Sequence, residues 1–479
     1  MFNLIDSNQT IRRAVIYSAS AIFMGLSYIL SGTISAEAQT DMKAIVQGYI
    51  DNSTNHVVKN ATTPAVTIDP KTGSVYAVYF RGERSGGNIY IEKSEDMGKT
   101  FSVPIRVNDK LGEVQLDAQW SPPALGVGPN SEVYVVWYNA NHSEPEKYPY
   151  GRVTMKFAGS VDGGKTFSPV TNPAPNDPKG EQSYPYMTVS KDNKIYISYL
   201  NLDYSKLEDT AGTPTVLRIV TSDDGGKTFE ASAIADKNSC QCCATVTALG
   251  PDGELYSSSR TVFKNVTESV DNATKTEYQN SEKLVSVIRD ITVEHSLDGG
   301  MAKIFSEPRK VGRDNWFMNG CPDSGPGMDF DSKGRLHLAW FTGSESASQG
   351  QGFYYTNSKD KGATFSKPIP IHLLSQKWIP PTTQYLVTDS HDNSWIVFVN
   401  SEGLKKRGDY EESYKFVGNG TIQLAIVDDK GNMIRNGPFA SGQITKHYPF
   451  TSETNGVIAI SWIDGDDVKL SLIDTRKTT

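Results

Sequence analysis

The chain has 479 residues, of which 37% are hydrophobic and 10% aromatic. This apolar content is sufficient to build a folded core, so the composition excludes a mainly disordered chain. The length would accommodate two or three average domains or one large array of repeats. The formal net charge of -8 argues against nucleic acid or an anionic membrane surface as the main partner.

The first elements along the chain are typical of an export signal. Arg12 and Arg13 precede an apolar stretch over residues 14–30, and small residues follow at Ala36 and Ala38. A positive end, an apolar run and a small-x-small site predict a cleaved signal peptide over residues 1–38. The protein is therefore expected to be secreted or held at the extracellular cell surface, with a retained membrane anchor as the alternative. Six N-x-S/T acceptors that follow this segment are compatible with glycosylation; they lie at Asn52, Asn60, Asn141, Asn265, Asn272 and Asn419.

One eight-residue pattern, S-x-D-x-G-x-T-F, recurs through the chain. Its four complete copies are Ser94–Phe101, Ser160–Phe167, Ser222–Phe229 and Ser358–Phe365. A fifth copy begins at Ser296 and then departs, reaching its aromatic residue only at Phe305. In such a turn the Ser and Asp side chains bond nearby backbone groups, and Gly adopts backbone angles that other residues avoid. We therefore interpret these aspartates as structural turn residues and do not assign them to catalysis.

This pattern is the Asp box, and it resembles the BNR repeats of the sialidase superfamily. Pairs of alternating apolar runs rich in Val, Ile, Tyr and Trp accompany the boxes, and seven such strand pairs follow one another between Ala65 and Trp462. The repeats and the resemblance together imply an all-β fold, a β-propeller of four-stranded blades with Asp-box turns. Seven units predict seven blades, with six as the alternative because sialidase domains are six-bladed.

The sequence also predicts how the array is bounded. The propeller is expected over residues 64–479, preceded by an N-terminal segment over residues 39–63. The last unit ends near Leu472 without an obvious fourth strand. The segment around His56–Val58 could supply that strand and close the ring, which would remove an exposed sheet edge.

The repeat register gathers the four cysteines on one face. Strand direction alternates within a blade, so the starts of the first strands lie on the face opposite the Asp boxes. Aligning the turns of the fourth and fifth units carries Cys240 onto Cys321. The same alignment carries Cys242 onto Asp323, and Cys243 follows directly. All four cysteines are therefore expected at the mouth of the propeller channel.

Three interpretations of this cluster remain open. Export favours disulfides, with Cys240 or Cys242 bonded to Cys321, and a bridge between the adjacent cysteines is a strained option. A second interpretation is a site for copper or zinc, in which Asp323 or His447 joins the thiolates. A third is a group of free reactive thiols. The metal hypothesis assigns its ligands to one set, namely Cys240, Cys242, Cys243, Cys321, Asp323 and His447.

A second resemblance covers the fourth and fifth units. It is carried by the C-Q-C-C run that begins at Cys240, by Arg289 and Asp290, and by the stretch WFMNGCPDSGP over residues 316–326. These runs are similar to those of a group of bacterial and archaeal sialidase-like proteins. The resemblance brings no biochemical role with it.

Resemblance to sialidases implies three arginines that hold a sugar carboxylate, a Tyr nucleophile assisted by Glu, and an Asp acid/base. The planar fork of arginine bonds a carboxylate through two nitrogens at once. The candidates for these catalytic roles on the predicted open face are Arg81, Arg260, Arg289, Tyr385, Glu83 and Asp117. The candidates for stacking on a sugar are Trp120 and Trp316. The chain departs from the family because no F/Y-R-I-P motif occurs near the first blade.

Three hypotheses about function follow. The leading one is a secreted, glycan-directed protein that binds an acidic sugar or hydrolyses it as an exo-α-sialidase-like glycoside hydrolase, with glycans or cell-surface glycoconjugates as partners. The second is a metal-binding or redox propeller that uses the cysteine cluster. The third is a non-catalytic interaction scaffold at the cell surface, with the cysteines as structural disulfides. None of them involves nucleic acid, or a membrane beyond an uncleaved N-terminal anchor.

Overall fold

The computed structural model describes the chain between residues 41 and 476, with gaps. The described residues are 41–83, 86–116, 121–143, 152–177, 180–202, 215–265, 286–317, 322, 324–375, 384–400, 405–406, 416–417, 419–443 and 450–476. The sequence-predicted site residues that lie outside them are Asp117, Trp120, Cys321, Asp323 and His447. The segment predicted to be a signal peptide, residues 1–38, lies outside them as well.

The chain divides into two compact units, one formed by Met1–Asn52 with Lys477–Thr479 and the other by Ser53–Arg476. In the first unit the structure describes one helix, over residues 41–51. Gln47 Nε2 donates to the carboxylate of Asp51, one turn later, at 2.8 Å. The sequence analysis did not predict this helix. Within the described part of the chain, no helix has the length and apolarity that crossing a membrane requires.

The second unit is all-β, and its strands pair antiparallel, mostly with their neighbours in the chain. Its first strands in chain order are β1 (Thr54–Val58), β2 (Thr62–Ile68), β3 (Val75–Glu83), β4 (Gly86–Ser94), β5 (Ile105–Arg106), β6 (Ala124–Val127), β7 (Val133–Asn141), β8 (Arg152–Ser160), β9 (Glu181–Val189), β10 (Ile195–Leu202), β11 (Thr215–Ser222), β12 (Ala233–Ser239), β13 (Val246–Leu249) and β14 (Leu255–Asn265). They are followed by β15 (Ser286–His295), β16 (Arg309–Lys310), β17 (Gly327–Phe330), β18 (Leu336–Thr342), β19 (Gly352–Ser358), β20 (Ile369–Leu373), β21 (Tyr385–Thr388), β22 (Ser394–Asn400), β23 (Lys405–Lys406), β24 (Phe416–Val417), β25 (Asn419–Val427), β26 (Met433–Gln443), β27 (Phe450–Thr454), β28 (Val457–Asp464) and β29 (Asp467–Asp474).

The sheets follow the repeat units of the sequence. Strands β2–β5 and β17–β20 form four-stranded sheets, as do β21, β22, β25 and β26, while β6–β8 form a three-stranded sheet. Strands β9–β16 form one eight-stranded sheet, in which Ser239 of β12 pairs with Thr261 of β14. Strands β27–β29 are joined by β1, with Thr54 opposite Leu472. The segment around His56–Val58 thus completes the last sheet, in the position that the sequence predicts.

Successive sheets meet through their first strands. Strands β2, β6, β9, β13, β17, β21 and β27 each contact the next in this order, and β27 contacts β2. This is the arrangement expected of a propeller, in which the inner strands surround one axis. The number of blades stays a prediction.

Large aromatic side chains fill the space between the sheets. Trp137 in β7 is 1% exposed, and Trp340 in β18 and Trp395 in β22 are fully buried. Trp137 and Trp340 belong to buried clusters with residues of other strands, because alternate side chains of each strand face a neighbouring sheet. Their burial places these three tryptophans in the core of the protein.

The complete Asp boxes form one recurring turn. In the box after β8, Asp162 accepts hydrogen bonds from the Thr166 amide at 2.9 Å and from the Thr166 hydroxyl at 2.6 Å. Ser160 Oγ accepts from the amide of Gly164 at 2.8 Å. Gly164 has a φ of +82°, a conformation that favours glycine. Equivalent bonds recur in the other three complete boxes, so the predicted structural role of these aspartates is confirmed.

Candidate functional site

The cysteine motif forms a tight turn between β12 and β13. The amide of Cys243 donates to the carbonyl of Cys240 at 3.4 Å, which closes a four-residue turn and brings the first and last sulfurs of C-x-C-C together. The amide of Cys240 donates to the carbonyl of Arg260 in β14 at 2.8 Å. The turn is therefore fixed to the sheet beside it.

Three sulfur atoms converge at this turn. The Sγ atoms of Cys240, Cys242 and Cys243 all lie within 4.8 Å of one another, and those of Cys240 and Cys242 are 3.6 Å apart. Cys240 and Cys243 are free thiols, each 1% exposed. Cys242 is partly exposed and disulfide-bonded. A buried free sulfur thus lies in contact with a sulfur of a disulfide.

Arg289 supplies a positive charge to the site. It lies in β15, is 6% exposed, and its Nη1 donates to Cys240 Sγ at 2.9 Å. Burial opposes ionisation of Cys240, but a hydrogen bond from Cys243 and the charge of Arg289 outweigh burial and lower the pKa of the Cys240 thiol to about 6. Burial and the adjacent Cys240 sulfur raise the pKa of the Cys243 thiol well above its usual value. Ionisation is therefore favoured at Cys240 and disfavoured at Cys243.

Arg260, in β14, forms hydrogen bonds with several backbone segments close to the cysteine turn. It is 1% exposed, and its guanidinium lies 4.9 Å from the ring centroid of Trp316. The same group donates to the backbone carbonyls of Ser324 at 3.1 Å, Arg289 at 3.0 Å and Phe341 at 2.7 Å. These contacts give Arg260 a structural role inside the protein. The three-arginine carboxylate site of the sequence analysis stays a prediction.

Trp316 contacts both Arg260 and Arg289. Its ring is 4% exposed and faces the guanidinium of Arg260. Its carbonyl accepts from the Arg289 amide at 2.9 Å, and its own amide donates to Asp290 Oδ1 at 3.0 Å. The buried carboxylate of Asp290 also accepts from Lys310 Nζ at 2.8 Å. A buried ring in these contacts does not offer the free face that sugar stacking requires.

A second loop, just before β17, packs against the cysteine turn. A Cβ atom at Gly325 would overlap the backbone of Ala244, so only glycine permits this approach. Gln384 Nε2 donates to the carbonyl of Gly325 and, at 3.1 Å, to that of Ala339. The S-G-P end of the stretch 316–326 thus lies beside the C-x-C-C turn.

Two further candidates lie near the end of β3. Arg81 Nη2 donates to the carbonyl of Lys59 at 3.1 Å, and its guanidinium lies 5.3 Å and 5.6 Å from the ring centroids of Tyr79 and Tyr90. Glu83, at the end of the strand, is exposed. Among the described contacts, none joins Arg81 to the two arginines of the cysteine site.

Tyr385, the predicted nucleophile, begins β21 and is 8% exposed. Burial and the nearby Tyr186 raise the pKa of its phenol above the usual value. A raised pKa disfavours the phenolate that nucleophilic attack requires. The described surroundings of Tyr385 therefore stabilise its neutral form.

The structure brings together residues that the sequence analysis kept in separate hypotheses. Arg289 was a candidate for holding a sugar carboxylate, whereas Cys240 was a candidate for a metal or a disulfide, and the two are in contact. Gly325 was not predicted to belong to the site at all. The strand register would have placed Arg289 near Cys240, because Ser239 lies opposite Thr261 and Arg289 lies opposite Val262.

Comparison with protein-family models and with curated proteins gives no match. Among solved structures, an ulvan lyase of a polysaccharide lyase family has a TM-score of 0.52 at 12% identity, over 88% of this chain and 96% of its own. A protein of unknown function from Dyadobacter fermentans has a TM-score of 0.47 at 14% identity, over 88% of this chain and 97% of its own. A Hadza microbial sialidase has a TM-score of 0.45 at 12% identity, over 86% of this chain and 75% of its own.

The sialidase and polysaccharide lyase neighbours are β-propellers. The likeness to the ulvan lyase shows that this chain shares that fold. Because the identity is only 12%, the likeness does not extend to an activity, and function is argued from the site itself.

Proposed function

We propose that this protein is a thiol–disulfide redox protein whose centre is the sulfur pair of Cys240 and Cys242 beside Arg289. The observation that carries the proposal is the 3.6 Å separation of the two Sγ atoms, with the Arg289 guanidinium 2.9 Å from the Cys240 sulfur. A free sulfur that contacts both a disulfide sulfur and a guanidinium is positioned as a nucleophile. The proposal takes Cys321, the fourth cysteine of the chain, as the second half of the Cys242 disulfide, and a seven-bladed propeller as the scaffold.

The proposed step is thiol–disulfide exchange within the site. The Cys240 thiolate attacks Cys242 Sγ, so a Cys240–Cys242 bond forms and the bond between Cys242 and its partner breaks. The leaving sulfur departs with the electron pair as a thiolate and takes a proton from solvent. Nothing is oxidised or reduced overall, because the step moves one disulfide from one pair of sulfurs to another.

Net redox chemistry requires an external thiol, and Cys242 is the described sulfur that such a thiol reaches. Cys242 is partly exposed, whereas Cys240 and Cys243 are each 1% exposed. An external thiolate that attacks Cys242 forms a mixed disulfide, and a second external thiol resolves it. Two external thiols become one external disulfide, and the two protein sulfurs are left as thiols. Export, which the N-terminal sequence predicts, is part of the proposal because disulfides persist outside the cytosol.

The test is to map the disulfides of the full chain held in mixtures of an oxidised and a reduced small thiol. Acid quenching, alkylation and mass spectrometry report which sulfurs are bonded. We expect a Cys240–Cys242 disulfide in equilibrium with the disulfide that Cys242 forms in the structure. Cys240→Ser should abolish the new Cys240–Cys242 disulfide. Arg289→Gln should slow its formation by roughly ten- to hundred-fold, since a hydrogen bond to a charged group contributes about 1.5–3 kcal/mol.

Two variants separate the charge of Arg289 from a general effect on the fold. Arg152→Gln removes a positive charge from an exposed position of β8 and should leave the exchange rate unchanged. Arg289→Lys keeps the charge and should recover part of the rate, which a purely structural role would not predict. The proposal is wrong if Cys240 remains a free thiol at every ratio of oxidised to reduced thiol.

A carbohydrate ligand is a second candidate, supported by the fold shared with an ulvan lyase bound to GlcA(1-4)Rha3S. Here we propose binding of an acidic glycan at the face opposite the Asp boxes, without hydrolysis, because the described contacts of Arg260 and Tyr385 do not favour sialidase chemistry. The full chain should be retained by immobilised glucuronate-containing or sialylated glycans and not by neutral ones. Cys240→Ser should bind like the wild type, and absence of retention on every glycan would exclude this candidate.

A further inference from the structure

We propose that the reduced form of the cysteine turn binds one soft monovalent cation, copper(I), through the thiolates of Cys240, Cys242 and Cys243. The inference rests on the proposed redox function in one respect: the disulfide of Cys242 must be reducible for its sulfur to serve as a ligand. It adds a ligand to the site and a metal-binding role for Cys243, which forms and breaks no bond in the exchange step.

The first argument is the spacing of the sulfurs. Metal–thiolate bonds of about 2.3 Å place the three sulfurs of a trigonal site about 4 Å apart. The three Sγ atoms lie within 4.8 Å of one another, with Cys240 and Cys242 at 3.6 Å. The turn closed between the Cys243 amide and the Cys240 carbonyl holds this spacing in the backbone. The site is therefore close to a three-sulfur geometry without any rearrangement of strands.

The second argument is the chemistry of the ligands. In the described part of the chain, the ligand group at this turn consists of sulfur alone, with no imidazole or carboxylate. Thiolates are soft ligands and select copper(I), zinc or iron–sulfur clusters, whereas oxygen ligands suit magnesium, calcium or manganese. The composition of the group therefore points to a soft ion.

The third argument is charge, and it distinguishes copper(I) from zinc. The guanidinium of Arg289 donates to Cys240 at 2.9 Å, and that of Arg260, whose own carbonyl accepts from the Cys240 amide, donates to the carbonyl of Arg289 at 3.0 Å. Three thiolates and two guanidiniums leave one net negative charge. A monovalent cation neutralises that charge, whereas a divalent one leaves an excess positive charge in a buried site, where net charge is costly.

The experiment loads the reduced full chain with copper(I) alone under anaerobic conditions, in competition with a chromophoric copper(I) chelator. Elemental analysis after desalting should find one copper per chain in the reduced protein and none in the oxidised protein. Silver(I), a soft monovalent ion without copper's redox chemistry, should compete for the same site. Zinc(II) should be retained more weakly than copper(I).

Cys243→Ser is the decisive variant. It should weaken copper(I) binding by at least roughly ten- to hundred-fold, because mutation of residues that merely hydrogen-bond to metal ligands already lowers metal affinity by that factor. Exchange between Cys240 and Cys242 should continue in this variant, because the serine hydroxyl still offers a hydrogen bond to the Cys240 sulfur and Cys243 forms no bond in that step. Cys243→Ala and a circular dichroism spectrum of each variant check that the fold is retained.

The charge argument has its own test in Arg289→Gln. Removal of one guanidinium leaves two net negative charges, so zinc(II) should gain affinity relative to copper(I). The inference is overturned if the reduced wild type does not retain copper(I) against the chelator, or if Cys243→Ser retains it equally well. Copper(I) binding without Cys240–Cys242 exchange would instead overturn the proposed exchange and leave the metal site standing.

Discussion

The Asp-box turns and the cysteine turn belong to one chain but are stabilised in opposite ways. Asp162 bonds Thr166, four residues away, and the same local bonds recur in each complete box. The cysteine turn depends instead on distant residues, because Arg289 in β15 and Gly325 before β17 both contact it. Each repeated turn is therefore an independent module held by its own local bonds, whereas the cysteine site is a single assembly of several strands.

The largest effect on the free energy of unfolding is expected from Arg260→Met, which tests the claim that the cysteine site depends on long-range contacts. Loss of the guanidinium leaves three buried backbone carbonyls without their donor, so the free energy of unfolding should fall by about 3–5 kcal/mol. Urea unfolding measures this cost. Arg152→Gln, at an exposed position, should stay within about 0.5 kcal/mol of the wild type, and an equal cost for both variants would refute the structural role of Arg260.

Gly325→Ala should have the next largest effect. Its added methyl group would overlap the backbone of Ala244, and overpacking of this kind costs about 1–3 kcal/mol. Displacement of the cysteine turn should also slow exchange between Cys240 and Cys242. Gly437→Ala is the matched control, since no atom lies within 4 Å of a Cβ atom there. Unfolding curves and exchange rates that are the same for both variants would contradict the close packing of the two loops.

Asp224→Ala tests the expectation that an Asp-box turn depends only on its own local bonds. It removes bonds to the Thr228 amide at 2.9 Å and hydroxyl at 2.6 Å. These groups are exposed, so the free energy of unfolding should fall by only about 1–2 kcal/mol. Thiol–disulfide exchange should continue at the wild-type rate. A loss of exchange in this variant would show that the boxes are not independent modules.

The smallest effect concerns acid stability. Burial slightly opposes ionisation of Asp162 and Asp224, but hydrogen bonds from their own turns outweigh it and lower the pKa of each carboxyl to about 2. A carboxylate whose pKa is lowered by folding stabilises the protein fully above its unfolded pKa of about 4. This stabilisation is lost as the pH falls through about 2.

Thermal unfolding of the wild type and of Asp224→Asn, measured in steps from about pH 5 to about pH 2, checks this expectation. The difference between the two melting temperatures should shrink as the pH falls, because the wild-type carboxylate becomes neutral. A difference that stays constant over this range would show that the charge of Asp224 contributes nothing.

Much of the architecture could be predicted because it is encoded in short, repeated stretches. The Asp boxes place all their partners within one turn, so the pattern S-x-D-x-G-x-T-F contains the whole interaction. Alternating apolar runs mark the strand pairs for the same local reason. The position of Cys240 just before the first strand of a unit also followed from the repeat, as did the strand around His56–Val58.

The contacts of the site could not be predicted in the same way. The guanidinium of Arg260 bonds the carbonyls of Ser324 and Phe341, which are distant in sequence and meet only when sheets pack together. The described contacts of Arg260 and Arg289 are with carbonyls and a sulfur, and the binding of a sugar carboxylate by these arginines stays a prediction. The helix over residues 41–51 was missed because a single short helix lies outside the repeat that guided the analysis.

The pairing of β1 with β29 has a consequence for how the chain is made. Val58 and Val468 lie far apart in the sequence, yet the two are partners in one sheet. The strand around Val58 is therefore without its partner until synthesis has reached β29. A product cut short before Asp467 would leave β1 unpaired and β28 with a bare hydrogen-bonding edge, and bare edges pair readily with other molecules. The single strand β29 thus conceals both edges.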